Sequence, residues 1–295
     1  MAHKTLIGGT AYNIIGGKSL VSGTSYNIKG GKTLVGGTGY SISFAELDPL
    51  YAMYYSDNSI VFQRGNIPSS GKSLQASYSG FDGKIFTNAR HLPWHSYLNQ
   101  ITNVSFGENV STKSMTLWFN SAQNLTTINW ANFNLDSVVD MTNTFYWCTN
   151  LKGSPVCGNN VNRMSNTYKE CSNLTGSPVC GPNVVDLSDT YNGCRNLTGS
   201  PVCGNKVKGM AYAYYECTNL RGDMYMYSKN VSNMRNCFYN RNTSNRLNIY
   251  IYKDSKTHNC FNITNTRSLV GKNITWTQTD TGFYNTSFNL YVYYM

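Results

Sequence analysis

The sequence predicts a β-rich repeat protein in which stacked coils lie between N-terminal β-hairpin repeats and a C-terminal β cap. Three observations predict this class. The pentapeptide SPVCG occurs at residues 154–158, 177–181 and 200–204, each copy 23 residues after the last. A 14-residue unit recurs over residues 4–44, and the late segments LNIYIYK and FNLYVYYM alternate apolar with polar or tyrosyl residues. A fixed 23-residue period is typical of stacked units that cannot bury their apolar faces alone.

The composition narrows the functional classes. Only 13% of the 295 residues are charged, against a typical value of about 25%, whereas 14% are aromatic and 23 are tyrosines. This balance fits neither a disordered tail nor an ordinary cytosolic enzyme. The net charge of +10 is spread along the chain. It therefore favours general attraction to anionic surfaces over specific nucleic-acid binding.

The N-terminal units begin at Lys4, Lys18 and Lys32, and each contains two short β-branched or aromatic runs divided by glycine. Each unit is expected to form a small hairpin or two rungs of a meander. The recurring Gly-Lys-Ser/Thr triplets lack the earlier glycine of a phosphate-binding loop, so their glycines are interpreted as turn residues. The pattern resembles Lys-Thr-Leu-Ile-Gly-Gly-Thr-x-Tyr repeats of bacteriophage structural proteins, especially tail-associated ones. That resemblance implies that residues 1–44 dock onto other virion proteins or oligomerise.

Residues 45–96 are expected to form a small mixed linker domain. FAELDPLYAMYY is predicted to start a short helix, and SIVFQ, SLQASY and KIFTN are predicted strands. Trp94 and Trp118 are expected to cover the first coil. The coils are expected over residues 97–246, and the β cap over 247–295.

The 23-residue units begin at Met141, Met164, Leu187 and Met210. An aromatic residue follows four positions later, then a small residue and a leucine at intervals of three, which is the spacing of one face of a helical turn. An extended stretch through Pro-Val-Cys follows the leucine. The predicted repeat core comprises Met141, Phe145, Cys148, Leu151, Met164, Tyr168, Cys171, Leu174, Leu187, Tyr191, Cys194, Leu197, Met210, Tyr214, Cys217 and Leu220.

These units resemble the BspA-like leucine-rich repeat in its Met-x-x-Met-Phe-x-x-Cys-x-x-Leu form. The resemblance implies a right-handed leucine-rich-repeat solenoid, with a parallel strand ladder and short helical turns. It also implies adhesion, because many members of that family are surface binding proteins.

The nine cysteines are interpreted as small buried hydrophobic residues of a reduced protein, since their number is odd and no CxxC pair supports zinc. Periodic asparagines, such as Asn173 and Asn219, are expected to satisfy backbone groups between coils. His91 and His95 have helical spacing, but Pro93 between them disfavours a helix that would align two ligands. No enzymatic activity, metal or cofactor is expected.

The residues that vary most between units are the candidates for ligand contact, with ordinary surface as the alternative. Tyrosine and amide side chains are also common on adaptable recognition surfaces, and aromatic clusters with amides can bind sugars. The candidate residues are Tyr146, Trp147, Lys169, Glu170, Asn192, Tyr215 and Glu216.

The sequence thus predicts a non-enzymatic bacteriophage virion protein, tail- or fibre-like, that adheres to a glycan or protein of the bacterial cell surface. A structural or decoration protein of the virion and a bacterial surface adhesin are the alternatives. Because neither a signal peptide nor a membrane-spanning run is found, the protein is expected in the virion after release by lysis. Partners would be other virion proteins through residues 1–44 and further copies of this chain, with no specific nucleic acid and no membrane insertion.

Overall fold

The computed structural model describes residues 49–82, 84–108, 110–240, 244–253 and 275–295, and the backbone of six short strands before residue 42. The chain divides into two compact units, Met1–Asp48 and Pro49–Met295.

The first unit contains three antiparallel hairpins, one for each 14-residue repeat. In each hairpin the Lys-x-Leu-Ile/Val run pairs with the Thr-x-Tyr run that follows it. Gly17 and Gly31, two of the glycines predicted to be turn residues, lie outside the described residues. The strands are β1 (His3–Ile7), β2 (Thr10–Ile14), β3 (Lys18–Val21), β4 (Thr24–Asn27), β5 (Lys32–Val35) and β6 (Thr38–Ser41).

The second unit begins with a mixed five-stranded sheet in the order β11-β10-β8-β7-β9. Strands β7 and β9 are antiparallel to their neighbours, whereas β8, β10 and β11 run parallel. The predicted helix near residue 50 is wrong, because Leu50–Tyr55 is a strand paired on both sides. KIFTN also forms no strand over its described residues 84–88. The strands are β7 (Leu50–Tyr55), β8 (Ser59–Arg64), β9 (Leu74–Tyr78), β10 (Asn103–Phe106) and β11 (Thr127–Asn129).

A mixed six-stranded sheet closes the second unit in the order β12-β13-β14-β17-β16-β15. The first four strands in this order are parallel, and the last two pair antiparallel. The strands are β12 (Val202–Cys203), β13 (Gly222–Met226), β14 (Leu247–Ile251), β15 (Thr277–Thr279), β16 (Gly282–Asn285) and β17 (Leu290–Tyr294).

One apolar core runs through the second unit from Leu50 to Val292. At its start Trp94 and Trp118 contact edge to face at 5.7 Å, and Trp94 Nε1 donates to the Trp118 carbonyl at 2.8 Å. Within the described residues, three short 3-10 helices connect the strands around it: Ala89–His91, His95–Tyr97 and Leu135–Ser137.

The prediction of a leucine-rich-repeat solenoid is wrong. The described residues are β-rich, and the second unit holds two mixed sheets that do not close into a solenoid. The repeat region, residues 115–240, contributes β11 to the first sheet and β12 and β13 to the second. There the extended Pro-Val-Cys stretch forms a strand only at Val202–Cys203, and isolated parallel bridges such as Asp140↔Arg163 and Arg163↔Asp186 take the place of the expected ladder.

The predicted helical turns are also absent from the repeats, because the backbone N–H groups divide between two directions. The amides of Asn143 and Phe145 donate to the next repeat, at Ser165 O (3.1 Å) and Thr167 O (2.9 Å), whereas the amide of Thr144 donates within its own turn. Asn143 has φ of 55°, which reverses the amide direction that a helix requires. Hydrogen bonds that a helix would keep internal therefore join one repeat to the next.

Candidate ligand-binding surface

The charged residues predicted to contact a ligand are engaged in ion pairs between adjacent repeats. Lys169 Nζ lies 2.8 Å from Asp189 Oδ1. Arg195 lies between Glu170 and Glu216, 3.8 Å from a Glu170 oxygen and in hydrogen-bond contact with Glu216. These side chains hold neighbouring repeats together and offer a ligand little free charge.

The other predicted contact residues differ in burial and packing. Asn192 is buried, and its side chain donates to Asp189 Oδ1 at 2.8 Å. Trp147 is 43% exposed and stacks beside Tyr146, with ring centroids 6.2 Å apart. Tyr215, three repeats later, stacks on Tyr239 at 4.6 Å. Backbone hydrogen bonds join Trp147 N to Lys169 O at 2.8 Å and Glu170 N to Asn192 O at 2.7 Å, so the predicted residues lie in register along consecutive repeats.

The sixteen residues of the predicted repeat core all lie at 3% exposure or less. Their rings stack from Phe145 through Tyr168, Tyr191 and Tyr214 to Phe238, at centroid distances of 5.3 to 5.8 Å. This ladder is a packing device, closed to solvent.

The described cysteines carry free thiols, and most of them lie in this core. The thiol of each cysteine in the predicted repeat core donates to a backbone carbonyl of the preceding repeat. Cys171 Sγ, for example, lies 2.9 Å from Phe145 O. Burial raises the pKa of Cys157 to about 12 and that of Cys180 to about 11. Such thiols are weak nucleophiles, because the thiolate is the reactive form. Cys260 lies outside the described residues.

The thiols predict that stability falls in alkaline solution. Below pH 9 the folded and unfolded states both keep these protons. Between pH 9 and about 11 the unfolded chain releases protons that Cys157 and Cys180 retain when folded, so the free energy of unfolding decreases as pH rises. Urea unfolding at pH 8 and pH 10.5 should show a lower midpoint at the higher pH. The double variant Cys157→Ala/Cys180→Ala should show a smaller decrease; an equal decrease would assign the effect to other groups.

The outward side of the six-stranded sheet carries a second candidate surface, which we call the tyrosine face. Along the central strands, inward residues such as Met224, Ile249 and Val292 are buried in the core, so the alternate residues point outward. Most of these outward residues are aromatic. The tyrosine face comprises Tyr225, Tyr227, Tyr250, Tyr284, Tyr291 and Tyr293.

Strand register aligns the tyrosines in rows. Tyr225 pairs with Tyr250 and Tyr250 with Tyr293, giving ring centroid distances of 4.5 Å and 5.1 Å. Tyr284 and Tyr291 stack at 5.7 Å in the neighbouring row. Because stacked rings cover one another's faces, the row presents to solvent its ring edges and hydroxyl groups, and the edges of aromatic rings are electropositive.

A chain of hydrogen bonds runs beside the tyrosines. Arg246 donates through Nε to Asn248 Oδ1 and through Nη2 to the Tyr293 hydroxyl, both at 2.8 Å. Its guanidinium also lies over the Tyr291 ring at 3.9 Å. Asn248 in turn donates to Asp223 Oδ1 at 2.6 Å. Burial, together with the charge of Asp223, raises the pKa of Tyr250, so its hydroxyl remains a donor.

Sequence reasoning assigned β14 and β17 to the C-terminal cap and β13 to the coils, and identified none of them as a binding surface. The signal was present in MYMY, IYIY and YVYY, where tyrosines alternate with apolar residues. The row forms only because β17 inserts beside β14, more than forty positions away along the chain.

Among the described residues, no group of three His, Cys, Asp or Glu side chains could hold a metal ion. His91 and His95 lie on separate 3-10 helices and are exposed. Within the same part of the chain, no helix has the length and apolarity needed to cross a membrane.

Comparisons with known proteins leave the tyrosine face to be interpreted from its own chemistry. No protein-family model matches the chain, and no curated protein matches it.

Proposed function

We propose that the protein is a non-enzymatic, virion-associated protein of a bacteriophage that adheres to its host by binding a cell-surface glycan on the tyrosine face. The observation that carries the proposal is the row Tyr225–Tyr250–Tyr293. The ring centroids of neighbouring tyrosines in this row lie 4.5 Å and 5.1 Å apart, which is about the length of one sugar ring.

The chemistry of this face suits a polyhydroxylated polymer. Phenol hydroxyls donate and accept hydrogen bonds, and tyrosine loses little conformational entropy on binding because it has few rotatable bonds. Tyr225 and Tyr227 are 41% and 51% exposed, so a ligand can reach them. The hairpins of residues 3–41, whose repeat resembles those of phage structural proteins, support the virion part of the proposal.

Binding to bacterial cells and isolated cell walls tests the proposal. The full chain is expected to bind one host saturably, and the double variant Tyr225→Ala/Tyr250→Ala should bind it roughly 30-fold more weakly, because interface tyrosines commonly contribute 1–2 kcal/mol each. Ile85→Ala, which removes a 63% exposed apolar side chain outside the sheet, is the matched control and should bind normally.

Other outcomes would redirect or overturn the proposal. Loss of binding in Trp147→Ala, with the tyrosine variant unaffected, would move the site to the repeat region. If no cell or wall bound the full chain while purified virion proteins did, a decoration role would replace adhesion.

A further inference from the structure

A polar groove opens where β13 and β14 begin, at one end of the tyrosine face. Two arginines lie in it among hydroxyl and amide groups, and none of the described side chains that line it is acidic. The lining includes Thr198, Ser200, Arg221, Asn245, Arg246 and Asn248.

The two arginines hold their positive charge in different ways. Arg246 is fixed by Asn248, the Tyr293 hydroxyl and the Tyr291 ring. Arg221 is exposed, and among the described residues no carboxylate lies within ion-pair distance of either guanidinium. Asp223, the nearby acid, accepts its hydrogen bond from the Asn248 amide.

Positive charge also borders the opposite end of the tyrosine face. Lys229 lies over the Tyr252 ring at 4.3 Å, and Lys253 lies 5.6 Å from the centre of the Tyr294 ring. Together with the electropositive ring edges, these cations make the face complementary to a polyanion.

We propose that the ligand of the tyrosine face is an acidic polysaccharide, and that the Arg221–Arg246 groove binds its carboxylates. Guanidinium groups match the planar geometry of a carboxylate. The hydroxyl of Ser200 accepts the Asp223 amide at 3.2 Å and can donate its own proton to the adjoining sugar. This inference rests on the proposed function and specifies the class of glycan.

Dextran and carboxymethyl-dextran test the proposal, because they share one backbone and differ in carboxylates. At low salt the full chain should bind the carboxymethyl polymer at least tenfold more tightly than dextran, and added salt should reduce the difference. Arg221→Gln, which removes no hydrogen bond or ion pair made with the described residues, should weaken binding to the charged polymer about tenfold. Arg221→Gln/Arg246→Gln should bind the two polymers alike.

A charge-matched control separates the groove from the general positive charge of the protein. Lys84→Gln/Lys113→Gln removes two exposed charges elsewhere and should retain the preference for carboxymethyl-dextran. If this control lost as much affinity as the arginine variant, or if wild type showed no preference, the proposal would be overturned.

Failure of this inference is distinguishable from failure of the proposed function. If the arginine variant bound host cells normally while the tyrosine variant did not, the glycan would be neutral and adhesion would stand. Groove-dependent binding of carboxymethyl-dextran without binding to any cell would keep the anion site and remove the adhesion role.

Discussion

Replacing Tyr191 with alanine is expected to lower the free energy of unfolding by about 4–5 kcal/mol, near the upper end for a buried aromatic. Tyr191 is fully buried between Tyr168 and Tyr214, whose rings lie 5.7 Å and 5.8 Å away. Its hydroxyl donates to Val179 O at 2.6 Å and accepts from Val179 N at 3.0 Å. Alanine would leave a ring-sized cavity and remove the partner of two backbone groups at once. Urea unfolding followed by circular dichroism measures the change.

Two variants separate the cavity from the hydrogen bonds at this position. Tyr191→Phe keeps the ring and should cost about 1–3 kcal/mol, because only the partner of the Val179 backbone is lost. Tyr227→Ala removes a tyrosine that is 51% exposed and should change stability by less than about 1 kcal/mol. A cost of Tyr191→Ala no larger than that of Tyr227→Ala would mean that the ring ladder does not support the fold.

The glycine that ends the first SPVCG copy is expected to be nearly as sensitive. A Cβ on Gly158 would lie 2.1 Å from Leu135 O and 2.6 Å from Leu135 C, both backbone atoms of the preceding segment. Leu135 O cannot move freely, because it accepts the amide of Val138 at 3.0 Å. Gly158→Ala should therefore destabilise the fold by about 3 kcal/mol, as overpacking of a tight contact does.

Gly80→Ala is the matched control for Gly158→Ala. Gly80 has φ of +70° but nothing within 4 Å of its Cβ position, so its cost reports backbone strain alone, about 1 kcal/mol. Gly181→Ala, with Gly158 O at 2.7 Å, should fall between the two. Equal unfolding midpoints for Gly158→Ala and Gly80→Ala would contradict the steric explanation.

These contacts give a physical reason for the repeated pentapeptide. The glycines at 158, 181 and 204 each lie against a carbonyl of the preceding segment or repeat, at 2.1, 2.7 and 3.0 Å from the Cβ they lack. The tyrosine twelve residues after the valine of the pentapeptide donates its hydroxyl to the backbone carbonyl of that valine, as Tyr168 does to Val156 and Tyr191 to Val179. The repeated residues are therefore those that let adjacent repeats approach closely.

The inward-facing residues were accessible from the sequence, because burial of an apolar side chain leaves a periodic pattern in the chain itself. The buried residues of one repeat stand three or four positions apart, as in Met141, Phe145, Cys148 and Leu151. The same spacing also predicted a helical segment in each repeat, and that prediction is wrong. A period of three to four residues also fits successive turns in which residues with positive φ, such as Asn143 and Trp147, redirect the amides.

The candidate site was less accessible than the core. Sequence variability pointed to Lys169, Glu170 and Glu216, whose charges pair across repeats. A variable charged residue looks the same in sequence whether its partner is a ligand or a side chain one repeat away. The tyrosines of β14 and β17 were noted only as alternating residues in a cap, and those of β13 were assigned to the coils.

The sequence by itself determined the repeat spacing and the residues that face the core, and it limited each N-terminal unit to a hairpin or two rungs of a meander, because each depends on neighbours within a few positions. Only the tertiary structure decided where the backbone amides of the repeats donate, and hence that two mixed sheets form in place of a closed solenoid. It also decided that Tyr293 lies beside Tyr250 and Arg246 beside Tyr291. Pairing between distant strands sets those contacts, and no local pattern of residues specifies which strands will meet.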